Sequence, residues 1–172
     1  MKNYFRFLFT LLFLSAGSVS AQELQPFYKV GTFDGSVSDV SRQVEKLLSG
    51  AGYELIGSYH PGNSDTLFVI CFTNKALKEL SLQFPDRGPL AAVLRAGLVR
   101  TQGKTTLSLL NPEYQFLAYW GQQLNGREEA LKTRSDQVTS LFAKMGTLTP
   151  FGGKVERDRL MHYHYKMMMP YF

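Results

Sequence analysis

The sequence predicts an α+β fold: a single two-layer sandwich, with a mixed or antiparallel sheet of about five strands, helices on one face and a C-terminal helical extension. Three observations lead there. Short apolar or alternating runs (Phe27 to Phe33, Tyr53 to His60, Thr66 to Phe72, Gly97 to Arg100 and Thr105 to Leu110) are bounded by Gly, Pro and Asn. Amphipathic stretches of helical period occur between some of these runs. The last run ends in Asn111-Pro112, a residue pair that opens a helix.

In chain order, Pro26 opens the first strand and Gly31 interrupts it, which predicts a place near a sheet edge. Asp34-Gly35 is a turn. Ser36 with Asp39 resembles a capping box with Asp in place of the commoner Glu. Val37, Val40, Val44, Leu47 and Leu48 then draw one apolar stripe, which Gly50 and Gly52 end. Tyr53 to His60 and Thr66 to Phe72, joined through Pro61-Gly62-Asn63, read as an antiparallel hairpin. The second of these runs is apolar on both faces. That pattern marks a strand covered on each side, or covered by helices on one side and by a partner subunit on the other.

Asn74 caps a short helix through Leu77 and Leu80 that Pro85 must terminate. The start at Leu90 to Leu94 is compatible with helix or strand, whereas Gly97 to Arg100, Gln102-Gly103 and Thr105 to Leu110 read as a second hairpin. The helix opened by Asn111 runs to about Leu124 and carries Tyr114, Phe116, Tyr119 and Trp120 around most of its circumference, as core filling, a dimer seam or a ligand wall. A further helix over Arg127 to Met145 places Leu131, Val138, Leu141, Phe142 and Met145 on one stripe, with Gly146 as its cap.

Composition bounds the function. Lys2 and Arg6, the apolar run Phe7 to Leu14 and the small residues Val19-Ser20-Ala21 form a signal peptide over residues 1–21, which assigns the protein to the periplasm or the secreted fraction of a bacterium. The apolar run is too short for a comfortable membrane span of about 20 residues, so cleavage after Ala21 is expected in preference to a retained anchor, leaving no stable span. Residues 22–146 form the α+β domain and residues 147–172 an extension rich in His, Met and aromatic residues. The formal charge of +5 includes the two leader cations, and no basic block remains, so nucleic acid is not an expected partner. With one cysteine, Cys71, no intramolecular disulfide can form.

The stretch from about Phe27 to Tyr119 resembles the bacterial family known as domain of unknown function 302. The residues that carry the likeness are Phe72-Thr73-Asn74 at a strand end, the strand through Arg95 to Val99, and Gly103-Lys104 leading to Leu109-Leu110-Asn111-Pro112-Glu113-Tyr114. Where members of that family usually show a Leu-Pro pair, this chain has Ala91-Ala92-Val93. The resemblance implies a small α+β sandwich that pairs as a homodimer, and implies no activity.

Three functional readings remain from the residues. The first is a non-enzymatic binding or interaction module with a small ligand or a protein partner. The second is a metal-handling protein: Met161, His162, His164 and Met167 offer imidazole and thioether ligands suited to copper, or a His and a Met for haem. On an extended segment His162 and His164 share a face; on a helix, Leu160, Tyr163, His164, Met167 and Met168 form an ordinary core stripe and His162 lies elsewhere. The third is a thiol-dependent enzyme with Cys71 as nucleophile and His60 as base.

Overall fold

The computed structural model describes residues 22–85 and 87–162. Residues 1–21, where a signal peptide is expected, and His164 and Met167 lie outside the described residues. After the short strand β1 (Glu23–Leu24) come β2 (Phe27–Asp34), α1 (Val37–Gly50), β3 (Glu54–Tyr59), β4 (Leu67–Thr73) and α2 (Lys75–Ser81). The hairpin β5 (Leu94–Thr101) and β6 (Lys104–Leu110) leads to α3 (Pro112–Trp120) and α4 (Glu128–Phe142), followed by β7 (Thr149–Phe151), β8 (Val155–Glu156) and α5 (Arg157–Met161).

Local signals set the element ends. Ser36 Oγ accepts from the Asp39 amide at 3.1 Å while the Asp39 carboxylate accepts from the Ser36 amide at 3.1 Å, so the capping box is complete with Asp. Asn74 Oδ1 accepts from the Leu77 amide at 2.8 Å and starts α2. At the β5–β6 turn Gln102 and Gly103 both have positive φ, 50° and 78°, as a two-residue hairpin that matches the strand twist requires. The ambiguous segment before β5 resolves into a 3-10 turn over Gly88–Ala92, and the strand begins at Leu94.

The main sheet is antiparallel throughout and has six strands in the order β3-β4-β5-β6-β2-β7, while β1 and β8 form a separate two-stranded pair. The strand beyond the five read from the sequence is β7, which pairs with Phe27, Tyr28 and Lys29. Its three residues carry no alternation long enough to register as a strand. Its presence moves β2 from the edge to the second position.

The helices cover one face. Val30, Ile70, Phe72, Leu94, Ala96, Leu98, Leu107 and Leu109 point into this layer and are all buried. They meet Val37, Val40, Val44 and Leu48 from α1 and Leu131, Val138, Leu141 and Phe142 from α4. Phe72 stands edge-on to Tyr53 and in tilted contact with Phe142, at 5.6 and 5.9 Å between centroids. Under α3, Trp120 is sandwiched between Phe84 and Phe116 with centroid separations of 4.4 and 4.5 Å, and its indole Nε1 donates to the Gly88 carbonyl at 3.2 Å. The aromatic helix is thus committed to the core. It ends at Trp120 because Gly121 turns the chain with φ 47°, at a point where a Cβ would stand 2.6 Å from the Met161 carbonyl oxygen.

Candidate functional site

The other face of the sheet has no helix over it among the described residues, and it is not a polar face. The register places Tyr59, Val69, Gly97, Ser108, Lys29 and Thr149 in one row across all six strands. The adjacent row runs through Gly57, Cys71 and Arg95 to Leu110, Phe27 and Phe151. Four large apolar side chains here retain 40–50% of their surface: Phe27 at 40%, Phe151 at 41%, Val99 at 43% and Tyr59 at 50%. A half-solvated antiparallel sheet ordinarily alternates apolar inward with polar outward. This one is apolar on both sides along β4.

A shallow hollow of about 440 Å³ lies between the two rows, lined by Phe27, Tyr59, Val69, Gly97, Leu110 and Phe151 together with the polar groups of Arg95 and Ser108. Each strand has a reason to contribute what it does. Gly97 forms the floor: it has no side chain, and a Cβ built there would meet nothing within 4 Å. Phe27 and Phe151 make one wall as a stacked pair, 5.4 Å between centroids and 27° between planes, which exists only because β7 pairs with the start of β2. Tyr59 and Val69 make the opposite wall across the β3–β4 ladder.

Electrostatically the hollow has one sign. Arg95 is exposed and makes no hydrogen bond or ion pair among the described residues, and Lys29 is exposed on the neighbouring row opposite Ser108. The carboxylates at the ends of the flanking strands are engaged elsewhere: Asp34 lies 3.5 Å from Lys104 Nζ and Glu54 2.8 Å from Lys78 Nζ. Among the described residues, no carboxylate lines the hollow.

The residues singled out from the sequence fall in other places. Cys71 is half-buried on the open face, opposite Gly57 and Arg95. His60 is on the covered side: its ring packs on Phe68 at 4.8 Å, and Phe68 lies across from buried Leu98. Its Nδ1–H donates to the Leu67 carbonyl at 2.8 Å, with the Ser64 carbonyl at 3.1 Å, which pins the Pro61–Asn63 turn. The sheet separates Cys71 from His60, and these two do not form a thiol–base pair.

At the C-terminus, Met161 is half-buried, with its sulfur 3.6 Å from Arg157 Nη1, and its carbonyl is the atom that crowds Gly121. His162 is exposed and its Nδ1–H donates to the Asp158 carbonyl at 2.7 Å. Among the described residues, no three His, Cys, Asp or Glu side chains gather as a metal-binding group. The other two proposed ligands, His164 and Met167, are not among those residues.

The motif Asn111-Pro112-Glu113-Tyr114 works as a clamp. Asn111 is buried; its Oδ1 accepts from the amides of Glu113 and Tyr114 at 3.1 and 3.4 Å, while its Nδ2 donates to the Gln25 carbonyl at 2.8 Å. Its own amide donates to the Pro26 carbonyl at 2.8 Å. One side chain thereby caps α3 and ties it to the lead-in of β2. Nearby, burial raises the Tyr28 pKa, the Glu113 carboxylate adds to that, and a hydrogen bond from Asn111 opposes both. Glu113 also lies 3.5 Å from Arg157 Nε, joining α3 to α5.

Sequence reasoning did not single out Arg95, Gly97, Phe27 or Phe151 as site residues. The available signal was the alternation in Leu94-Arg95-Ala96-Gly97-Leu98-Val99, which puts Arg95, Gly97 and Val99 on one face. No family model matches the chain and no curated protein matches it, so the open face carries the functional reading by itself.

Proposed function

We propose that the protein is an exported, non-enzymatic binding module whose working surface is the open face of the six-stranded sheet. The observation that carries this reading is the uncovered apolar surface of Phe27, Val69, Val99, Leu110 and Phe151 around a hollow with a glycine floor. Membership of the domain of unknown function 302 family is part of the proposal and rests on the strand and helix order together with the Asn111 to Tyr114 clamp. The homodimer expected from that resemblance is placed by this reading on the same face, because the aromatic helix has its largest rings in the core.

A neutral apolar fluorophore, N-phenyl-1-naphthylamine, tests the reading without invoking charge. The mature protein should enhance its emission, and Val69→Lys should abolish the enhancement while the thermal transition is kept. Equal emission with wild type and Val69→Lys would show that the face is not the binding surface. Sedimentation at micromolar concentration reads the second copy: a dimer that Val99→Lys dissociates supports it, whereas a strict monomer removes the homodimer from the proposal.

A further inference from the structure

The hollow on the open face combines apolar walls with an unneutralised guanidinium, and these two properties select different parts of one molecule. Phe27, Phe151, Val69 and Leu110 offer contact to a hydrocarbon or aromatic body and make no demand on charge. Arg95 makes no ion pair or hydrogen bond among the described residues, and its planar fork of N–H donors matches an oxyanion bidentately. Ser108, also on the lining, adds a hydroxyl donor. Lys29, opposite Ser108 in register, keeps the local potential positive, and the strand-end carboxylates of Asp34 and Glu54 are held by Lys104 and Lys78.

We propose that this hollow binds an amphipathic monocarboxylate, with the carboxylate on Arg95 and the apolar body over Gly97 between the Phe27–Phe151 pair and Tyr59–Val69. This rests on the open face being the working surface. The charge count favours a monoanion, since Arg95 is the one cation lining the hollow among the described residues, whereas a phosphate monoester carries close to two negative charges at neutral pH. The volume, about 440 Å³, lies within the range of small-ligand sites, roughly 300–1,000 Å³. Binding is non-covalent, so no bond is made or broken.

The test compares dodecanoate with dodecanol, of equal chain length, against the full mature protein below the micellar concentration, read by displacement of N-phenyl-1-naphthylamine. Dodecanoate should bind about tenfold to a hundredfold more tightly than dodecanol, the range expected for hydrogen bonds to a charged group. Arg95→Gln should remove that difference with an unchanged thermal transition, and Gly97→Leu, which fills the floor, should weaken both ligands. Equal affinities for acid and alcohol, or a difference that survives Arg95→Gln, would overturn the carboxylate and leave the apolar surface standing. Failure of both compounds to displace the fluorophore would overturn the carboxylate ligand, and failure of the fluorophore itself to bind would remove the surface reading as well. Dodecanoate binding that Gly97→Leu leaves intact would place the ligand elsewhere. Binding to phosphatidylserine vesicles through Arg95, with no affinity for monomeric dodecanoate, would overturn the free ligand in favour of a lipid surface.

Discussion

The two faces of one sheet, built by the same strands, have opposite fates. On the covered face Ile70, Phe72, Leu98, Leu107 and Leu109 are each at most 1% exposed and meet helices on every side. One residue along in β4, Val69 and Cys71 look out onto a surface that nothing in the described chain covers. Both sets are apolar. The difference teaches that apolar character in a strand does not by itself say what covers it: the helices cover one side, and nothing in the described chain covers the other.

The largest effect that would break this comparison lies in the covered layer. Trp120→Ala removes the middle ring of a three-ring stack and its hydrogen bond to Gly88, and should cost about 3–5 kcal/mol in urea unfolding. A matched pair sharpens it: Ile70→Ala should cost about 2–5 kcal/mol, whereas the neighbouring Val69→Ala should cost below about 1 kcal/mol for the isolated chain. Equal losses would mean that the open face is covered in solution. Next comes the clamp between layers. Asn111→Ala loses an N-cap and leaves the Gln25 carbonyl without its donor, for about 2–3 kcal/mol in the same titration.

The smallest effect is local and depends on pH. The Asp39 carboxyl is held below its ordinary value, first by hydrogen bonds from the Ser36 side chain and backbone and then by Arg42. A carboxyl depressed in the folded state contributes stability that is fully present above its unfolded pKa, about 3.9, and is lost as pH falls through the lower folded value. Acid titration followed by circular dichroism should therefore show α1 loosening in the acid limb, and Asp39→Asn should flatten that limb while leaving stability near neutrality slightly reduced. An acid limb identical in Asp39→Asn and wild type would assign the acid sensitivity to other groups.

Much of the fold was legible residue by residue, and the candidate site was not. Ser36 with Asp39, Asn74, and Asn111 with Pro112 announce three helix starts, because a cap acts on amides two or three residues away. Gln102-Gly103 announces the hairpin because positive φ is a local requirement. The buried stripe of Val37, Val40, Val44 and Leu48 follows from helical period, with Leu47 left half-buried at its margin. Thr149–Phe151, by contrast, becomes a strand only through pairing with Phe27 to Lys29, far away in sequence, and three residues hold no periodicity of their own.

What the sequence by itself determined, then, is the set of elements and their apolar faces, since period, caps and turns are properties of neighbouring residues. The tertiary structure alone decided the strand order, the sixth strand, the burial of the Trp120 stack, the placement of His60 and Cys71 on opposite sides of the sheet, and the meeting of Arg95, Gly97, Phe27 and Phe151 around one hollow. The physical reason is that each of these depends on which distant strands share hydrogen bonds. A one-residue change of register would move every one of the hollow's side chains on that strand to the other face.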